Sequence, residues 1–144
     1  MKTFCHADYI LGCPSNWTDS TTVILKGKPH SNFCPNVTIT RQELKTPLPV
    51  NDFAAEQLRT LQDTLVDQKY ERLNEGTFPL NKTDGYFCLH QFAMPDEDWM
   101  VKQLQVYAVM ERHGIILTAS DSDTHFNESE TLFYAMFQKF EWAE

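Results

Sequence analysis

From Trp99 to Met110 the chain alternates, turns at Arg112-His113-Gly114 and returns over Ile115 to Ala119, the pattern of a strand pair. The first strand has two unlike sides. One carries Met100, Leu104, Val106, Ala108 and Met110; the other carries Val101, Gln103, Gln105, Tyr107 and Val109. A solvated strand face ordinarily shows charge or Thr, and a core face shows no Gln. A side that is half apolar and half uncharged amide needs its own explanation.

Upstream, Asp8 to Leu11 reads as a short strand running into a Pro14-Ser15-Asn16 turn, and Thr21 to Lys26 is β-branched and alternating. "GKPHSNFCP" is a loop, and Asn36 to Gln42 alternates, with Val37 and Ile39 opposite Thr38 and Thr40. "TPLPV" breaks this pattern. A helix is expected from about Asn51, with Asn51 as N-cap and Asp52 in the first turn. Its apolar stripe is Phe53, Ala54, Leu58, Leu61 and Leu65, and Glu56, Arg59 and Asp63 lie opposite. Residues 70 to 74 and 77 to 80 flank Gly76, and residues 85 to 94 form a long strand. After "SDSDTHFN", Asn127 and Glu130 suggest a capping box, followed by the stripe Leu132, Phe133, Met136, Phe137 and Phe140. The expected order is βββαββββα in one domain spanning residues 1–144. The class is α+β, with a largely antiparallel sheet carrying the helices.

Composition narrows the function. The 144 residues suit one core, and 42% hydrophobic with 22% charged residues is ordinary for a globular chain. A net charge of −8 without a Lys/Arg cluster opposes binding to nucleic acid or to an anionic membrane surface. Cys5, Cys13, Cys34 and Cys88 match no zinc spacing and are expected as reduced, mostly buried thiols. The N-terminal residues hold no secretory apolar run and no segment has the length of a membrane span, so a cytoplasmic chain is expected. On that expectation the N-x-S/T sequons at Asn16, Asn36, Asn81 and Asn127 are coincidences.

Candidate catalysis is sparse. None of the five histidines sits in a catalytic signature, and the five glycines form no phosphate loop. Asp121, Asp123 and His125 are the best candidate metal ligands, but a calcium loop would need a Gly that is missing, and the simpler reading is a polar connection. His90, between Leu89 and Gln91 in a strand, is expected to be hydrogen-bonded structure rather than a base. Neither a cofactor nor enzymatic activity is expected.

Four strings in order, "ADYILGCPSNWTDSTTVIL", "NVTITRQEL", "FAAEQLRTLQDTL" and "VKQLQVYAVMERHGIILTAS", resemble the DcrB-related, PsbP-like proteins. More narrowly, they resemble the Eag-type chaperones of type VI secretion effectors. Cys13-Pro14 stands where such proteins often have Leu-Pro, a departure that leaves the turn intact. The resemblance implies a curved antiparallel sheet backed by helices, a homodimer and no catalysis. It also implies a partner, the N-terminal hydrophobic helices of a toxin effector held before export.

That role fits the Gln-bearing side. Shielding roughly 600 Å² of apolar client at roughly 25 cal/mol per Å² gives about 15 kcal/mol gross, before docking and ordering costs. A charge would spoil such a surface, whereas Gln can bond the small polar positions that membrane helices present to one another. The expected client-binding set is Val101, Gln103, Gln105, Tyr107 and Val109. Phe87, Leu89 and Gln91 are expected to extend it from the neighbouring strand, with a wall from Val23 or Ile24, parity leaving that choice open. Two rivals remain: a soluble adaptor that recognises a folded partner through Trp99 and Asp96 to Asp98, and a metal enzyme using Asp121, Asp123 and His125.

Overall fold

The alternating stretch forms the interior of a six-stranded antiparallel sheet. The computed structural model describes residues 1–143. Its strands are β1 (Lys2–His6), β2 (Tyr9–Cys13), β3 (Val23–Lys26) and β4 (Asn36–Glu43), then β5 (Glu71–Leu80), β6 (Thr83–Ala93), β7 (Met100–Met110) and β8 (His113–Ser122). Helix α1 (Val50–Thr64) joins β4 to β5 through one 3-10 turn, and α2 (Phe126–Gln138) follows β8. The sheet order is β3-β4-β8-β7-β6-β5, and β1–β2 is a separate hairpin. The fold is α+β, as expected, with one further strand, β1, ahead of the predicted set.

The helices lie on opposite faces. On one face Leu104 and Val106 of β7, Leu117 and Ala119 of β8, Val37 and Phe78 pack with Phe126, Phe133 and Phe137 of α2. On the other, Tyr107 and Cys88 pack with Phe53, Ala54 and Leu58 of α1 and with Leu44. Full burial of a Phe such as Phe53 or Phe126, both 0% exposed, contributes about 2–3 kcal/mol. The core therefore sits on both sides of β7, which explains why neither side of that strand reads as a solvated face.

Local chemistry moves several boundaries. The α1 N-cap is Pro49 rather than Asn51, and α2 is capped at His125 rather than Asn127; neither cap uses a side-chain hydrogen bond. Pro suits the entry to α1, because its fixed φ near −57° leads into the first turn. The β7–β8 turn is Glu111-Arg112, with Glu111 at φ 55°, so His113 and Gly114 already pair in β8. Gly76 is passed within one strand, β5, whose register shift lies between Arg72 and Asn74. Leu132 leaves the α2 stripe and is exposed. All four thiols are free, and only Cys88 is buried, which corrects the expectation of mostly buried cysteines. No helix among the described residues is long and apolar enough to cross a membrane.

Candidate binding face

The strand registers place two rows of side chains across the sheet on the α1 face. One runs Arg72, His90, Gln103, Ser120, Asn36, Lys26 from β5 to β3; the next runs Cys88, Gln105, Thr118, Thr38, Ile24 from β6 to β3. On this face the four inner strands, from Tyr86–Phe92 of β6 through β7 and β8 to Asn36–Gln42 of β4, carry no Asp, Glu, Lys or Arg. Charge appears at the margins, at Arg72, Glu75, Asp84 and Lys26. The opposite face is different, with Lys102, Asp121 and Arg41 on its strands.

Helix α1 covers part of this face. Its buried side chains meet Cys88 and Tyr107, with Tyr86, Val109 and Ile116 packed alongside. Gln103, Thr118, Thr38 and Ile24 stay outside that cluster and keep solvent access, Ile24 at 56% exposed. The amides between are wired into the sheet. The ring Nε2 of His90 is 2.8 Å from Gln103 Oε1, and Gln103 Nε2 donates to Ser120 Oγ at 2.9 Å. Gln105 Nε2 donates to Thr118 Oγ1 at 3.2 Å while its Oε1 accepts from the Tyr107 hydroxyl.

Burial sets the titration of these groups. It holds His90, 0% exposed, below the usual imidazole range despite the Gln103 bond, so the ring is neutral near pH 7. It pushes the Tyr70 hydroxyl up to about 12, with the Cys88 thiol adding to the effect, and it pushes Tyr107 up as well. The Cys88 thiol rises to about 11, through burial first and the Glu75 carboxylate second.

The expected residues divide. Val101, Gln103, Gln105, Tyr107 and Val109 share one face, and of the two wall candidates Ile24 joins them. Val23 pairs with Ile39 on the other face. Phe87, Leu89 and Gln91 are a correction. They pair with Val106, Leu104 and Lys102, and Phe87 and Leu89 pack on the α2 core. The reason is register: Ala93 sits opposite Met100, so even-numbered residues of β6 share a face with odd-numbered residues of β7. Tyr107, 1% exposed and edge-on to Phe53, is a core residue, and Val101 and Gln105 are nearly inaccessible at 3% and 9%. His90, Ser120, Thr118 and Thr38 are the members that the sequence reading missed. The Thr38/Thr40 alternation in β4 was their only visible signal.

The Asp121 loop is built from separate contacts. Buried Asp121 accepts from the Ser122 backbone N–H at 2.8 Å and from Ser129 Oγ at 2.6 Å, and it lies 2.7 Å from His30 Nε2. His125 Nδ1 is instead 2.9 Å from Ser122 Oγ, and its ring stacks on His30 at 3.9 Å. Among the described residues no three His, Cys, Asp or Glu side chains are placed to share an ion. Trp99 is not an exposed aromatic; it is half-buried and edge-on to Phe33 at 5.7 Å, beside exposed Asp96 and Asp98.

A profile of the DcrB family matches residues 10–136. No curated protein matches the sequence. In fold, the chain is similar to a Pseudomonas aeruginosa protein of unknown function, with a TM-score of 0.78 and 16% identity over 100% of this chain and 98% of that one. It is also similar to the cyanobacterial PsbP of Synechocystis, with a TM-score of 0.55 and 13% identity over 81% and 79% of the two chains. At these identities the likeness is one of fold.

Proposed function

The chain belongs to the DcrB family, and on that footing we propose that it is a non-enzymatic, cytoplasmic, homodimeric chaperone of the Eag type. It shields the N-terminal hydrophobic helices of a type VI secretion effector before export. The observation that carries this reading is the α1 face itself. From Tyr86–Phe92 of β6 across to Asn36–Gln42 of β4, four adjacent strands present this face without a single formal charge, in a chain whose net charge is −8. A membrane helix brought against such a surface leaves no charge stranded, and its small polar positions find Gln and Thr partners. The accessible members are Gln103, Thr118, Thr38 and Ile24. The homodimer has an available surface in β3, a free sheet edge on which Val23, Ile24 and Leu25 are all exposed.

Co-expression with the N-terminal hydrophobic segment of the effector encoded beside its gene tests the reading. The segment is expected to stay soluble and to copurify, and Ile24→Glu is expected to abolish capture without changing the far-ultraviolet circular dichroism. A segment that is equally soluble alone, or that never copurifies, refutes it.

One observation favours a second reading, an adaptor for a folded partner. The β1–β2 hairpin and the turn after it expose Tyr9, Ile10, Leu11 and Trp17, at 54%, 74%, 59% and 65%. A client without any hydrophobic helix selects that alternative.

A further inference from the structure

A single chain of hydrogen bonds runs from Tyr70 through His90 and Gln103 to Ser120, and its direction is decided at the imidazole. Two proton-bearing groups meet at His90 Nδ1, the Tyr70 hydroxyl at 3.2 Å and the Cys88 thiol at 3.8 Å, and each can donate to it. Both hold their protons well above neutral pH. A neutral imidazole has one N–H; with Nδ1 occupied as acceptor, that proton sits on Nε2. Nε2 therefore donates to Gln103 Oε1, which turns the amide oxygen towards β6 and the amide nitrogen towards Ser120 of β8. One N–H of this part-exposed side chain is left without a partner among the described residues.

We propose that His90 is a positioning residue that locks Gln103 as a hydrogen-bond donor on the binding face, so that this face reads the acceptor oxygens of a bound helix, a Ser or Thr hydroxyl or a free backbone carbonyl. The wiring belongs to the folded protein alone; the ligand class rests on the chaperone reading. The reversed amide would present an acceptor and favour donors instead, so the imidazole tautomer determines which chemistry is bound.

Two measurements separate the parts. Long-range proton–nitrogen NMR on the free protein reads the His90 tautomer directly. The Nε2-protonated form is expected, and the Nδ1-protonated form overturns the proposal whatever the client. Binding is then compared for two synthetic Ala/Leu helical peptides that differ only in a central Ser or Ala. Wild-type protein is expected to prefer the Ser peptide about fivefold, the size of one net hydrogen bond. His90→Leu is expected to bind the Ser and Ala peptides equally, at whatever affinity it keeps. His90→Gln, which restores a donor, is expected to recover it. Equal preference in all three proteins overturns the positioning role. Failure of the wild type to bind either peptide overturns the chaperone reading and the acceptor selectivity built on it, even with the Nε2 tautomer in place.

Discussion

Replacing Gly114 with alanine puts one methyl group into a close approach between α1 and the sheet. A Cβ at Gly114 would lie 2.6, 2.9 and 3.1 Å from three carbons of the Phe53 ring. Carbon atoms in ordinary contact are about 3.5–4.0 Å apart, so the ring must retreat by about 1 Å. Phe53 has nowhere to go: it is 0% exposed and sits edge-on to Tyr107 at 6.1 Å. Overpacking of this kind costs about 1–3 kcal/mol, and about 0.5–1 kcal/mol returns from the lower backbone entropy of alanine in the unfolded chain. The expected net loss is about 1–2 kcal/mol, a fall in Tm of about 3–6 °C for a domain of this size. Urea unfolding reads it as a lower midpoint at unchanged slope. The cause is checked by adding Phe53→Leu, which removes the obstructing ring carbons. The double variant should be more stable than the sum of the two single losses by about 1 kcal/mol. A Gly114→Ala protein as stable as the wild type, or strict additivity, refutes the steric argument.

Alkaline pH should weaken the fold in a defined window. The Cys88 thiol is raised from 9.0 to about 11 and the Tyr70 hydroxyl from 10.0 to about 12. The unfolded chain therefore gives up these protons first, and stability that is complete below about pH 9 is lost as pH rises through both folded values. Urea midpoints measured between pH 8 and pH 11 should fall, and Cys88→Ala should flatten the lower half of that decline; a flat profile contradicts the assignment. At the other end of β8, Asp121→Ala removes a buried acceptor of two hydrogen bonds that also lies against His30. The expected cost in urea unfolding is about 3 kcal/mol, and a loss below about 1 kcal/mol would mean that Asp121 holds little in place.

Within a strand, the sequence was a sound guide. Gln103, Gln105 and Tyr107 share a face because side chains alternate with a period of two, a local property that needs no knowledge of the partner strand. Between strands it failed, because pairing parity depends on where a turn closes. The loop from Met94 to Trp99 sets Ala93 opposite Met100, and that one offset carries Phe87, Leu89 and Gln91 to the α2 side. The helices show the same limit. The Phe53–Leu58 and Phe133–Phe137 stripes were visible as apolar faces, yet nothing in them says that they bury on opposite sides of one sheet. Asn51 and Asn127 looked like caps by residue type, but the chain enters its helices at Pro49 and His125 instead. Burial of Tyr107 likewise follows from the path of α1 and could not be read from its neighbours.

Because α1 occupies one part of its face, the berth beside it has a fixed span. From β7, which carries Gln103, to β3 there are four strands, and at about 4.8 Å per gap the accessible row measures about 14 Å. A helix laid along that row, at about 1.5 Å per residue, would be covered for about 10 residues, whereas a full bilayer crossing takes about 20. Any such guest would overhang one chain by roughly three turns. The overhang on one side would meet β3, whose outer edge pairs with no strand among the described residues, so the length of the guest and the stoichiometry of the host become a single question.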